Sequence, residues 1–319
     1  MTATAAFDWG GTWLRGGVVD ERGEILAQAR ERCPADPSDQ LELARRLIGR
    51  LEVMAATGIE AVGIGIAGIV REGQVISGSN LGLRNLDIQG ELTRQLSLPV
   101  RVVNDTQAVA LAELSMAGAN ETAVFLSVGT GIGGAVVYDG RLFPGRGAAG
   151  DFGHMPVIVD GPRCVCGATG CLEQLASGRV LNEVATNLSR SGRSPFLQRR
   201  ASSGDPLHAG DLEDAAASGD EAATAVLDGA AMALVVGLRC VAAAYDPDRV
   251  VLGGGLLQAG SYLLNKLQAG WAEKRSAWTS PEVTLARHGE DAGLLGAALL
   301  WAPRGDEPAD VVAGGEPDR

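Results

Sequence analysis

The spacing of apolar positions alternates between a period of two and a helical period along the chain. Short runs ending at Asp8, over Leu14–Val19 and over Ile25–Arg30 read as a three-strand meander, with turns at Gly10-Gly11-Thr12 and at 20–23. Leu41, Ala44, Leu47, Ile48 and Leu51 then fall on one helical face, which predicts a helix over 38–56. Glu60–Ile66 reads as a buried strand ending in Ala67-Gly68, Ile69–Ser77 as a hairpin and Asp87–Leu96 as a helix. Val100–Val103 is a strand that runs straight into Asn104-Asp105, with a helix expected over 106–117. Further on, helices are expected over 178–188, from Asp211, over 220–245, over 262–275 and over 293–301. Strands are expected over 249–255 and 283–286. The arginine-, Ser-, Gly- and Pro-containing stretch 189–210 reads as an exposed loop, and the acidic, Pro/Gly-rich stretch 303–319 as a disordered tail. The alternation is that of an α/β protein.

The pattern also repeats. Gly11-Thr12-x3-Gly16-Gly17-Val18-Val19 returns 118 residues later as Gly129-Thr130-x3-Gly134-Ala135-Val136-Val137. Each copy follows an apolar strand, so the chain reads as a duplicated lobe with two strand–glycine-turn–strand units. Backbone N–H groups in such turns can cradle phosphate, and two facing turns could hold the phosphates of one nucleotide. Asp8, in D-x-G-G-T, can hold a magnesium ion or its water. Asp105 opens a helix at the carboxyl end of a buried strand, where open α/β sheets place their sites; a helix N-cap explains an aspartate there equally well. Leu252-Gly253-Gly254-Gly255 is a third place where backbone can approach a ligand closely, or only a tight strand-to-helix turn.

Composition narrows the reading. A length of 319 residues with 46% hydrophobic residues can fill two cores, and a net charge of −12 argues against nucleic acid or an anionic membrane as the partner. Of the 27 basic residues only Lys266 and Lys274 are lysines, so a phosphate site in the first 265 residues must rely on backbone N–H groups, arginine or metal. The start of the chain lacks a basic segment leading into an apolar core, and Gly229–Tyr245 is too short and too interrupted by Arg239 to span a bilayer; it reads as a buried helix. Free thiols suit a reducing compartment, so the expected location is cytoplasmic. Cys33 and Cys240 read as ordinary core residues.

The densest chemistry lies in 147–174, GAAGDFGHMPVIVDGPRCVCGATGCLEQ. It holds three of the five cysteines, Cys164, Cys166 and Cys171, with His154 ten residues before the first. Three thiolates and an imidazole make a tetrahedral zinc set; the alternative is a disulfide plus a spare thiol, or cysteines that fill space. A C-x-C pair closes too small a ring for an easy disulfide, which favours metal. Asp151 and Glu173 flank the set, and carboxylates with an imidazole nitrogen suit a hydroxyl-rich ligand.

With these pieces placed, the chain resembles the sugar kinases of the ROK family (repressors, uncharacterised frames, kinases), in the actin-like ATPase superfamily. The resemblance runs from about Phe7 to Trp301 and rests on DWGGT (8–12), GIGIAG (63–68), SNLG (79–82), ND (104–105), GTGIGGA (129–135), D-x-G-H, C-x-C-G-x2-G-C-x-E-Q and LGGG (252–255). It implies a two-lobed, actin-like (ribonuclease H-like, duplicated) fold with a zinc-binding loop over 154–171. The lobes would be 1–117, joined by the last helix 290–302, and 118–289, closing on a cleft. It implies zinc on His154, Cys164, Cys166 and Cys171, ATP with magnesium as donor, and Asp105 taking the proton from the attacking hydroxyl. Asn80, Asn104, Asp105, Asp151, His154 and Glu173 would contact sugar. Asp8, Gly10, Gly11, Thr12, Thr130 and Gly131 would serve the phosphates and their magnesium, and Gly254 and Gly255 would lie near the nucleoside. The expected reaction is ATP-dependent phosphorylation of a hexose hydroxyl, at the 6-position of glucose or an aminohexose, by a homodimer. The alternative is a catalytically idle sugar-sensing protein. Repressor members carry a helix-turn-helix before the first glycine turn; only seven residues precede Asp8 here, so DNA binding is not expected. The chain departs from the family in having tryptophan at 9 and 13, where an aliphatic residue and a lysine are usual, and in having D-x-G-H for E-x-G-H.

Overall fold

The computed structural model describes residues 3–78, 81–115, 120–258, 260–273 and 280–302. Its strands are β1 (Ala3–Trp9), β2 (Trp13–Asp20), β3 (Ile25–Arg32), β4 (Ile59–Ile66), β5 (Ile69–Arg71), β6 (Gln74–Gly78), β7 (Leu83–Leu86), β8 (Val100–Asn104), β9 (Thr122–Val128), β10 (Ile132–Tyr138), β11 (Arg141–Leu142), β12 (Arg249–Gly253) and β13 (Glu282–Leu285). Its helices are α1 (Pro37–Ala55), α2 (Ile88–Leu96), α3 (Asp105–Glu113), α4 (Glu173–Ala176), α5 (Gly178–Arg190), α6 (Pro195–Ala201), α7 (Ala209–Ala217), α8 (Glu221–Tyr245), α9 (Gly255–Gln258), α10 (Tyr262–Glu273) and α11 (Ala292–Ala298). Two compact units result, one of 1–116, 141–149 and 287–319, the other of 117–140 and 150–286. Two stretches that the family resemblance would place in the second lobe, 141–149 and 287–289, group with the first. Local bonds explain both: Arg71 Nε donates to the Arg146 carbonyl at 2.8 Å, and the Arg287 and His288 N–H groups donate to the Glu113 carboxylate at 2.8 Å each.

In the first unit the sheet order is β3-β2-β1-β4-β8, with β1 antiparallel to β2 and parallel to β4. Helix α1 forms because Asp36 caps it, accepting the Ser38 N–H at 2.8 Å, and because Leu43, Leu47 and Leu51 recur on one face. That face packs on Phe7, Trp9 and Leu14 on one side of the sheet. Trp9, a departure from the family pattern, is fully buried there. The opposite side is built from small residues: Ala6 and Val19 meet Ala108 of α3 and Leu294 and Ala297 of α11. Gly63 and Gly65 of the GIGIAG stretch are glycines for this reason. A Cβ at Gly63 would lie 1.9 Å from the Ala297 carbonyl oxygen, and one at Gly296 would lie 1.6 Å from the Ala108 carbonyl oxygen. Only backbone fits between β4, α3 and α11. The expected hairpin appears as β5 and β6, and β7 adds an unanticipated third strand to it.

The second unit repeats the scheme. Strands β10, β9, β12 and β13 are neighbours in that order, with β9 antiparallel to β10 and parallel to β12. The order and directions are those of β2, β1, β4 and β8, so the duplication read from the two glycine turns is a duplication of topology. Among the described residues α8 alone is long and apolar enough to cross a membrane; Leu227, Leu234, Leu238 and Val241 bury it in the core of this unit. It starts at Glu221, capped by Asp220, whose carboxylate accepts the Ala223 N–H. The expected loop 189–210 is corrected: it contains α6, capped by Ser194 and anchored by the fully buried Leu197. Seven residues with one buried leucine carry too little periodicity to be read. Cys33 and Cys240 are half-buried rather than enclosed. The stretch 303–319 and Asn80 lie outside the described residues.

Candidate functional site

In the first unit, strand register gathers the polar groups. Trp9, Ile66 and Asn104 are aligned at the carboxyl ends of β1, β4 and β8, so the 10–12 turn and Asp105 emerge from one edge of the sheet. Asp8 lies one residue back on the small-residue face, against Gly293, where a Cβ would come 3.1 Å from its carboxyl carbon. Burial raises its pKa, the Asp105 charge raises it further, and Arg15 opposes both. Arg15 Nη1 stands 4.0 Å from Asp8, while Nη2 pairs with Asp291 at 3.1 Å and Nη1 also donates to the Glu290 carbonyl. Gly10 N–H closes the turn onto the Trp13 carbonyl at 3.0 Å; the Gly11 and Thr12 N–H groups find no acceptor among the described residues. Trp13 is exposed, with the Arg30 and Arg32 guanidinium groups 5.1 and 5.9 Å from its ring centre.

The two roles open for Asp105 separate in the structure. The cap of α3 is Asn104: its Oδ1 accepts the Thr106 and Gln107 N–H groups at 2.9 and 3.2 Å, and Gln107 returns a bond to the Asn104 N–H. Asn104 Nδ2 donates to the Gly68 carbonyl at 2.9 Å, which fixes the end of the GIGIAG stretch. Asp105 is the first helical residue, half-buried, with one carboxylate oxygen on the Thr106 N–H at 2.8 Å. Burial raises its pKa and the Thr106 N–H pulls the other way. A desolvated carboxylate not consumed as a cap is suited to accept a proton.

In the second unit, the 150–153 backbone lies directly on β10. A Cβ at Gly150 would meet the Gly134 carbonyl oxygen at 2.4 Å, and one at Gly153 the Ile132 carbonyl oxygen at 2.1 Å. This presents Asp151 and His154 side by side, His154 Nε2 standing 3.9 Å from Asp151 Oδ2. Burial raises the Asp151 pKa, the His154 side chain lowers it and the nearby Glu173 charge raises it. The opposite ring nitrogen, Nδ1, faces Cys164 Sγ at 3.3 Å, and Cys166 and Cys171 Sγ are 3.7 Å apart. All four donor atoms lie within 4.8 Å of one another. A tetrahedron with zinc–sulfur bonds of about 2.3 Å has sulfur–sulfur edges of about 3.7 to 3.8 Å, so the residues fit the ion. Burial and the two neighbouring thiols push Cys171 up to about 12. A bound cation would stabilise the Cys171 thiolate against that push.

The Cys/His loop continues into the second glycine turn. Glu173 Oε2 accepts the Ile132 N–H at 3.0 Å, and the Gly178 and Arg179 N–H groups donate to the Gly129 and Thr130 carbonyls at 2.8 and 3.0 Å. Gly129 N–H closes the turn onto the Gly131 carbonyl, and the Thr130 and Gly131 N–H groups find no acceptor among the described residues. Gly254, at φ +96°, packs on Val128, where a Cβ would meet the carbonyl oxygen at 2.3 Å; Gly255 opens α9 beside Gly129. Thr130, Gly131, Glu173, Gly254 and Gly255 are therefore gathered at one place. Nothing in the residue pattern ties Glu173 to the turn or singles out Arg179; the signal available for an arginine was the absence of lysine before residue 266.

The ROK family model matches residues 4–304. A glucokinase from Streptomyces coelicolor is 31% identical, the match covering 94% of this chain and 98% of that protein. An N-acetylmannosamine kinase from Citrobacter koseri is 34% identical over 93% of this chain and 98% of that protein. The crystal structure of a ROK family glucokinase from Streptomyces griseus, in complex with glucose and AMPPNP, superposes with a TM-score of 0.77 at 30% identity, covering 93% of this chain and 98% of that one.

Proposed function

The chain belongs to the ROK family, and from that premise we propose that it transfers the γ-phosphoryl group of ATP to a hexose hydroxyl, with Asp105 as general base. The observation that carries the reading is that α3 does not depend on Asp105 for its cap: Asn104 does the capping, and the half-buried carboxylate, with one oxygen on the Thr106 N–H, stands at the edge where the first glycine turn emerges. The sugar oxygen attacks phosphorus, its proton passes to Asp105, and the bond to the ADP oxygen breaks. Alignment and charge stabilisation carry most of such a transfer. The N–H groups of Gly11 and Thr12, and of Thr130 and Gly131, which find no acceptor among the described residues, are donors for phosphate oxygens, with Gly10 shaping its turn. Gly254 and Gly255 would border the nucleoside. Asp8 would hold magnesium or its water, which supplies positive charge to the phosphates.

His154, Cys164, Cys166 and Cys171 would hold zinc, leaving His154 Nε2 with Asp151 and Glu173 for sugar hydroxyls. Asn104 and Asn80 complete the proposed sugar contacts. Relatives named for glucose and for N-acetylmannosamine support a hexose without choosing among hexoses. Asp151, one methylene shorter than the family glutamate, favours an ammonium-bearing sugar beside glucose, because charge-assisted bonds are about twice as strong as neutral ones. Coupled ADP release across glucose, mannose, N-acetylhexosamines and free aminohexoses tests the function. Saturable sugar binding without turnover on any of them would instead support the idle sensor.

A further inference from the structure

Transfer from ATP needs cations at the phosphates, and the first 265 residues contain no lysine. In the first unit, Arg15 is already committed: its guanidinium is tied to Asp291 and to the Glu290 carbonyl, and its side chain is only 20% exposed. Arg179 in the second unit is placed differently. Its own N–H holds the Thr130 carbonyl at 3.0 Å, so its Cα rides on the glycine turn whose Thr130 and Gly131 N–H groups lack an acceptor among the described residues. Its side chain is 42% exposed, with the guanidinium 3.1 Å from Glu183 Oε1 and 3.9 Å from Glu173 Oε1. Glu173 in turn grips the same turn at Ile132.

We propose that Arg179 is the cation that binds the donor's phosphates at the second glycine turn, exchanging Glu183 for a phosphate oxygen. The exchange costs little, because an exposed i,i+4 pair on a helix is a weak interaction, whereas a guanidinium–phosphate contact is charge-assisted and can be bidentate. Glu173 keeps the guanidinium over the turn without fully pairing it, since its other oxygen is occupied by the Ile132 N–H. The inference rests on the phosphoryl-transfer reading above and names the side chain that supplies charge at this turn.

The test is calorimetric binding of Mg–AMPPNP, AMP and adenosine to wild type, Arg179→Ala and Arg179→Lys, with sugar affinity and melting temperature measured alongside. The backbone N–H to Thr130 survives each substitution, so the fold is expected to persist. Arg179→Ala should weaken AMPPNP roughly 10- to 100-fold, with less effect on AMP and none on adenosine, in line with the loss of a charge-assisted contact. Sugar affinity should stay within about twofold, and Arg179→Lys should recover part of the loss, because a point charge replaces the fork. Unchanged AMPPNP affinity in a folded Arg179→Ala, or an equal loss for adenosine and AMPPNP, would overturn the proposal while leaving the kinase reading intact. A wild type that binds no AMPPNP and turns over no sugar would overturn both.

Discussion

Gly131→Ala probes how the Cys/His loop and the second glycine turn are joined. An added Cβ would stand 2.7 Å from Glu173 Oε2, well inside contact distance, while Gly131 itself has no left-handed backbone to strain. The intruding atom meets the end of a flexible side chain, so the protein should fold and the carboxylate should swing away. What is lost is the 3.0 Å bond from the Ile132 N–H to Glu173. Hydrogen bonds to charged groups contribute about 1.5–3 kcal/mol, and the partial exposure of Glu173 places this one near the lower end. About 1.5 kcal/mol corresponds to roughly tenfold in affinity for Mg–AMPPNP if the bond orders the donor turn. The assay is a double-mutant cycle with Glu173→Ala, read by calorimetry and by urea unfolding. In the Glu173→Ala background the glycine substitution should cost almost nothing, giving a coupling of about 1.5 kcal/mol. A substitution equally costly in both backgrounds would refute the clamp.

Purified protein should carry one zinc per chain, and Cys166→Ala should lower both metal content, by elemental analysis, and sugar affinity; metal loss with unchanged sugar affinity would separate the two sites. Asp151→Glu should shift the ratio of kcat/KM for aminohexose over glucose toward glucose by several-fold, and an unmoved ratio would remove Asp151 from sugar choice. Gly296→Ala should destabilise the fold by several kcal/mol in urea unfolding, since its Cβ would collide with a carbonyl oxygen and neither helix can yield freely. Burial raises the Asp105 pKa in the folded state, so its ionisation opposes folding as pH rises through the ordinary aspartate range of about 4. Asp105→Asn should accordingly raise the melting temperature of ligand-free protein at pH 7, and the gain should vanish below about pH 4.

The duplicated fold was legible because a strand–glycine-turn–strand motif leaves a fixed sequence pattern, and the two copies did place equivalent strands around equivalent turns. The metal set was legible because ligand spacing is chemical, and the four donors do converge. Other features depend on contacts that spacing cannot report. Whether Asn104 or Asp105 caps α3 is decided by one residue of backbone phase. Gly63 and Gly296 are required by backbones nearly 200 residues apart or more in sequence, and Glu173 reaches Ile132 across the turn. The grouping of 141–149 with the first unit follows from single bonds such as Arg71 to Arg146, which leave no periodicity to read.

The central claim, Asp105 as base for phosphoryl transfer to a hexose, is tested most directly by single-turnover transfer from ATP with the best sugar of the panel, in wild type and Asp105→Asn. The amide keeps the size of the carboxylate but cannot take the proton, so the transfer rate should fall on the order of 10²- to 10⁴-fold while sugar affinity stays near wild type. Transfer by Asp105→Asn at a rate close to wild type, with chemistry limiting in both, would contradict the account.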